Sequence, residues 1–211
     1  AVNWPWKPCS KQITALARLP LGIALSLPAM VVILALRDNA PPGRARHSGE
    51  ALVKSEFSLV NHLGRRVTHK DFAGKWQLVF FGFTYCPDVC PTTLASMGQV
   101  IDSLGDAADK VVPLFITVDP QRDTSKALAE YVTAIHPNII ALTGTPEEIK
   151  AAAQSFRIYY AKVDKEDAPA GYLMNHSGFI YLMTPKGGYE AVFTEKSDPP
   201  AKIAAAIKQR L

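Results

Sequence analysis

The sequence predicts an α/β protein, a mixed sheet flanked by helices and preceded by one membrane-spanning helix. Three observations lead there. Apolar segments of strand length alternate with helix-period segments from about Ala51 onward. Two cysteines, Cys86 and Cys90, stand where the apolar run 78–83 gives way to a helix. Residues 19–36 carry no charge and are bounded by Arg18 and Arg37.

Taken in order, residues 57–60 and 66–68 read as strands flanking an Asn61-His62-Leu63-Gly64 turn. Residues 77–83, apolar throughout from Leu78, read as a strand buried on both faces. A helix is expected over 91–104, because proline suits a first helical position and Leu94, Met97, Ile101 and Leu104 recur on one face. Residues 111–118 repeat the buried-strand pattern and end in Asp119-Pro120. Thr124 can cap a helix reaching Ile135, with Leu128, Tyr131, Val132 and Ile135 inward. After a short strand at 138–142, Thr145-Pro146-Glu147-Glu148 supplies a cap, a proline and two acids for a helix running to about Phe156. Strands at 157–163, 178–183 and 189–193, with a Pro185-Lys186-Gly187-Gly188 turn between the last two, lead to a final helix at 199–211. This order gives a mixed sheet covered on both faces. A thiol pair where the first central strand meets its helix is the thioredoxin-like arrangement.

The chain divides into a short tail (1–18), a transmembrane anchor (19–36), a linker (37–50) and a folded domain (51–211). A straight helix over 19–36 is about 27 Å long, against a bilayer core of roughly 30 Å. Pro20 lies harmlessly near its start, whereas Pro28 is mid-span and is expected to kink it. Trp4 and Trp6 suit an interfacial belt. A cleaved signal peptide is the competing reading. It fits less well, since the apolar run exceeds the usual length of about 7–15 residues and no small-x-small site follows.

Positive charge is nearly balanced across the span, and a tail without acidic residues favours the N-terminus inside. The net charge of +4 resides in Lys7, Lys11, Arg18 and Arg37; the rest of the chain carries 19 basic and 19 acidic residues. A neutral domain without a basic patch argues against nucleic acid as a partner. Cys9 precedes the span, on the other side of the membrane from Cys86 and Cys90, and reads as a thiol without a role.

Pro91 restricts Cys90 to extended angles, so Cys90 is expected at the helix N-cap and Cys86 in the loop before it. Unpaired N–H groups and the positive end of the helix dipole favour a thiolate there. Such a pair can form a structural bridge, exchange disulfides or bind a soft metal. A staple is the weakest use, because a domain of about 160 residues buries a sufficient core and a five-residue loop gains little from closure. A metal site needs a third ligand. Of the five histidines, His47 lies in the linker, His62 and His69 flank the first hairpin and His136 ends a helix; each reads as structural or solvated. His176, in Asn175-His176-Ser177-Gly178, precedes an apolar strand. In a thioredoxin-like sheet that loop faces the N-terminus of the cysteine-bearing helix. The residues alone leave His176 open between ligand and ordinary histidine. Two thiolates joined by an imidazole would suit Cu(I) or Cu(II) better than zinc.

The stretch Leu78-Val79-Phe80-Phe81-Gly82-Phe83-Thr84-Tyr85-Cys86-Pro87-Asp88-Val89-Cys90-Pro91 resembles the signature of the Sco/SenC family. So do Val118-Asp119-Pro120-Gln121-Arg122-Asp123-Thr124, His176-Ser177, Tyr181-Leu182, Pro185 and Gly187. Phe57-Ser58-Leu59 with Gly64, Asp71-Phe72 and Gly74-Lys75, and Phe156-Arg157-Ile158-Tyr159-Tyr160, match as well. The resemblance implies a membrane-tethered, thioredoxin-like copper protein that helps assemble the binuclear copper centre of cytochrome c oxidase. It carries the copper ligands onto Cys86, Cys90 and His176. It implies the oxidase's copper-bearing subunit as partner, with other copper carriers or thiol reductants as further candidates. The folded domain would face the periplasm or the mitochondrial intermembrane space. Asn175 departs from the usual aspartate and Ser125 from a frequent proline. Asp119 is either an acid near the site or a turn residue.

Two functions follow from one site. A copper chaperone would hold the ion on Cys86, Cys90 and His176 and pass it on. A thiol-disulfide oxidoreductase would use Cys86 to attack and Cys90 to resolve, with His176 dispensable. A peroxiredoxin-like peroxidase fits worst, since its threonine belongs three residues before the reactive cysteine and Phe83 is there instead. A redox or copper sensor is compatible with the same residues.

Overall fold

Residues 53–211 are described by the computed structural model. The expected tail, anchor and linker lie outside the described residues. Among the described residues, no helix is long and apolar enough to cross a membrane.

Strands β1 (Ser58–Asn61) and β2 (Arg66–Thr68) form the first antiparallel hairpin. Its turn is closed by Asn61, whose Oδ1 accepts from the N–H groups of Leu63 and Arg65 at 3.0 and 2.9 Å. Then follow β3 (Trp76–Gly82), α1 (Val89–Leu104), β4 (Val111–Thr117), α2 (Ser125–Ile135), β5 (Ile140–Thr143) and α3 (Pro146–Ser155). The chain continues through β6 (Tyr160–Asp164), β7 (Tyr172–His176), β8 (Phe179–Met183), β9 (Tyr189–Thr194) and α4 (Pro200–Lys208). Seven strands form one sheet in the order β2-β1-β5-β4-β3-β8-β9. β3, β4 and β5 run parallel, and the other neighbours are antiparallel. This is the thioredoxin-like mixed sheet that the sequence predicts.

The two continuously apolar runs are adjacent central strands, buried along their length apart from a half-buried Trp76. Side chains alternate between faces along a strand. Phe80 packs on Phe115 on one face, and Phe81 packs on Phe156, just past α3, on the other. Leu94, Met97 and Ile101 of α1 and Leu128 and Val132 of α2 complete the core. Each such buried side chain contributes about 1.5–3 kcal/mol of transfer free energy. The expected caps are in place. Thr124 Oγ1 accepts from the Ala127 N–H at 3.3 Å, and Thr145 and Glu148 form a reciprocal capping box before α3.

Three expectations need correction. α1 begins at Val89, two residues early, so Cys90 lies inside its first turn and Asp88 is the N-cap. Proline is compatible with this because the first four N–H groups of a helix have no intrahelical partner. The strand expected at 157–163 begins only at Tyr160, after Arg157 adopts a left-handed φ of 57°. It pairs with β7, which was not anticipated, in a separate two-stranded sheet. His176 therefore ends a strand instead of lying in a loop. Short 3₁₀ turns at His69–Phe72, Gly105–Lys110 and Pro169–Gly171 were also not anticipated.

Candidate metal centre

The C-terminal end of β3 delivers the chain into a loop whose backbone is tied down on both sides. Cys86 N–H donates to the Phe83 carbonyl at 3.3 Å. Cys86 Sγ in turn accepts the Cys90 N–H at 3.3 Å, taking up one of the donors that the start of α1 leaves unpaired. Cys86 is half-buried; Cys90 is completely buried. Gly82 makes room for the Cys90 sulfur, since a Cβ there would stand 2.8 Å from it.

The two thiols share one proton unequally. The Cys90 thiol donates to Cys86 and, helped by the N–H groups of Asp88 and Cys90, pulls the Cys86 pKa down to about 4 against the cost of burial. Cys90 is pushed up, first because its proton is engaged with Cys86 and then by burial. Of the two thiols at the helix start, the thiolate is therefore Cys86, the sulfur expected to attack in disulfide exchange. The reason is positional: Cys90 sits one step inside the helix and beneath its neighbour, so the unpaired N–H groups serve Cys86.

His176 reaches the pair from β7. Its Nε2 lies 3.5 Å from Cys90 Sγ. Its Nδ1 is 3.2 Å from the Ser177 carbonyl, and a carbonyl only accepts, so Nδ1 carries a proton and Nε2 faces the sulfurs. The edges of Phe80 and Phe83 enclose the ring at centroid distances of 6.0 and 5.8 Å. One ligand atom from each of Cys86, Cys90 and His176 lies within 4.8 Å of the others. Around an ion bonded at the usual 2.0–2.3 Å, three such atoms would be spaced about 3.5–4 Å apart. The arrangement needs a small contraction to hold an ion. Two sulfurs and an imidazole nitrogen favour a soft or borderline metal, and the half-exposed Cys86 leaves a path for exchange.

Asp119 is not part of this cluster. It is 3% exposed, and its carboxylate accepts from Arg122 Nε and from the Tyr172 hydroxyl at 3.0 Å. Its carbonyl accepts from the N–H groups of Arg122 and Asp123, so it is a turn residue and an anchor. Asn175 is exposed on β7. His62, His69 and His136 have structural contacts elsewhere, with the Ala141 N–H, the Phe57 carbonyl and Asp102 respectively. His47 lies outside the described residues. Asp123 was overlooked in the sequence. It is fully buried and accepts from the Thr84 N–H at 3.1 Å and from the Thr84 and Thr117 hydroxyls at 2.6 Å, bracing the loop before Cys86. Burial raises its pKa. Its only signal was its place in the Asp119-Pro120-Gln121-Arg122-Asp123-Thr124 run.

Known proteins share this arrangement of sequence and fold. The family model described as SCO1/SenC matches residues 45–211. The mitochondrial SCO1 homolog 1 of Arabidopsis thaliana is 42% identical over 163 residues, spanning 77% of this chain and 48% of that protein. The mitochondrial SCO1 homolog of Homo sapiens is 42% identical over 166 residues, spanning 78% and 54%. The chain therefore spans about half the length of these curated relatives. The crystal structure of Arabidopsis thaliana ScoI with copper bound superposes with a TM-score of 0.70 at 41% identity, covering 74% of this chain and 96% of that one. On the matched residues, the fold and the identity to these relatives, the chain belongs to the SCO1/SenC family.

Proposed function

We propose that this protein is a copper chaperone that holds one copper ion on Cys86, Cys90 and His176 and supplies it to the copper-bearing subunit of cytochrome c oxidase. The observation that carries the reading is the approach of two sulfurs and one imidazole nitrogen, from segments 86 residues apart in sequence, to within 4.8 Å of one another. Family membership and the copper-bound Arabidopsis relative support copper as the cargo. Thiolates hold Cu(I), and the added imidazole accommodates Cu(II). The expected tether is residues 19–36, with residues 1–18 on one side of a membrane, residues 37–50 as linker and residues 51–211 on the periplasmic or intermembrane-space side. The mitochondrial relatives favour that placement.

The test is titration of the full chain with Cu(I) and Cu(II), followed optically through thiolate-to-copper charge transfer. One copper per chain is expected, lost on replacing Cys86, Cys90 or His176. Stoichiometric copper retained by His176→Ala would contradict the proposal.

A second activity is favoured by the unequal thiols. A half-exposed thiolate beside a buried thiol is arranged to reduce a disulfide. Cys86 sulfur would attack the partner's disulfide and release one partner thiolate. Cys90, giving up its proton, would then attack Cys86 and release the second, leaving a Cys86–Cys90 disulfide and two partner thiols. Metal-free His176→Ala should keep this activity, which separates it from copper delivery.

A further inference from the structure

The atoms of the copper site come from two separate pieces of chain. Cys86 and Cys90 belong to the loop and first turn after β3, whereas His176 ends β7. The β6–β7 sheet is hydrogen-bonded to no strand of the seven-stranded sheet among the described residues. Something must fix the distance between the two pieces.

Arg122 touches both. Its guanidinium carbon lies 3.8 Å from the centre of the Tyr172 ring and 4.6 Å from that of Tyr85. Tyr85 immediately precedes Cys86, and Tyr172 begins the strand that ends in His176. Arg122 Nη1 also donates to the Tyr172 carbonyl at 3.3 Å, and Nε pairs with Asp119, which the Tyr172 hydroxyl reaches from the other side. Lys162 Nζ lies 3.9 Å from the same Tyr172 centroid. Phe83 extends the contact: its ring is 5.8 Å from Arg122 and also meets His176 edge-on.

The geometry points to Arg122 as a positioning residue that sets the spacing between Cys86 and His176 through Tyr85 and Tyr172. The role calls for arginine. A planar guanidinium stacks on a ring while its edge donates to a carboxylate and a carbonyl; an ammonium cannot do both at once. The inference rests on the copper reading of the site.

The experiment uses the full chain with Arg122→Lys, Tyr85→Ala, Tyr85→Phe and His176→Ala. Tyr85 is 46% exposed, so its truncation leaves the core intact and decides the matter if Arg122→Lys does not fold. Copper affinity is measured against a competing chelator and the charge-transfer spectrum is recorded for the loaded, folded protein. Arg122→Lys and Tyr85→Ala are expected to bind one copper about tenfold or more weakly, the usual scale for groups that orient ligands, and with a shifted charge-transfer band. Tyr85→Phe is expected to match the wild type, because the ring is retained. A merely structural role would lower the unfolding midpoint without moving the spectrum of the loaded protein. Wild-type affinity and spectrum in Arg122→Lys and Tyr85→Ala, with copper lost from His176→Ala, would overturn the positioning role alone. Copper retained by His176→Ala would instead remove the copper reading and this inference with it.

Discussion

Gly82 and Cys90 occupy one shared space at the end of β3. A methyl group on Gly82 would stand 2.8 Å from the Cys90 sulfur and 3.0 Å from carbons of Phe80 and Phe115. Nothing there is a flexible chain end that could swing aside. Gly82→Ala is therefore expected to cost about 1–3 kcal/mol through overpacking and to displace Cys90. Urea unfolding and copper titration read the two effects. Wild-type values for both would refute the shared-space account.

The depressed Cys86 pKa makes a pH-dependent expectation. In reduced, metal-free, folded protein, alkylation of Cys86 should stay near its full rate down to about pH 5 and fall through about 4, far below the 9.0 of an ordinary thiol. Cys90→Ser replaces the donating thiol and should shift that transition. Stability follows with a definite sign. The Cys86 contribution is fully present above its ordinary value of 9.0 and is lost as pH falls towards 4. Cys90, raised in the fold, works oppositely: its contribution is present below 9.0 and is lost as pH rises beyond it. A pH-rate profile centred near 9 would contradict the assignment of the thiolate.

Asp123 should matter to both fold and site. Asp123→Ala leaves the Thr84 N–H and two hydroxyls without their acceptor in a buried place. A loss of about 2–4 kcal/mol is expected by denaturant unfolding. Copper binding should weaken as the loop ahead of Cys86 loosens. A destabilisation below about 1 kcal/mol would mean that these hydrogen bonds are replaceable.

Thr145→Ala serves as the contrast. It removes the cap of α3, where Thr145 Oγ1 accepts from the Glu148 N–H at 3.2 Å. About 1 kcal/mol of stability should be lost with copper affinity unchanged. A parallel fall in affinity would link α3 to the site in a way that the observed contacts do not.

Local signals were enough for the parts of the fold that depend on local physics. Continuous burial of β3 and β4 is written in their apolar stretches, 78–83 and 111–116, and the caps at Thr124 and Thr145 in their side chains. β7 was not legible because Tyr172-Leu173-Met174-Asn175-His176 pairs only with β6 and is mostly half-buried, so neither alternation nor a continuous run marks it. Pro91 marked a first turn without saying which position within it. The ionising cysteine depended on which sulfur lies above the other. Arg122, Tyr172 and Asp123 were silent for a different reason: their partners are up to 53 residues away, and nothing local announces them.

The Ser177 carbonyl that holds the His176 Nδ1 proton has a further consequence for ion uptake. In the neutral imidazole the lone pair already faces inward, and Cys86 is already an anion near neutrality. Only Cys90 has a hydrogen left to surrender. Loading onto the neutral imidazole should then acidify a weakly buffered solution by close to one equivalent per ion, with no ring rotation or tautomer exchange to slow the entry.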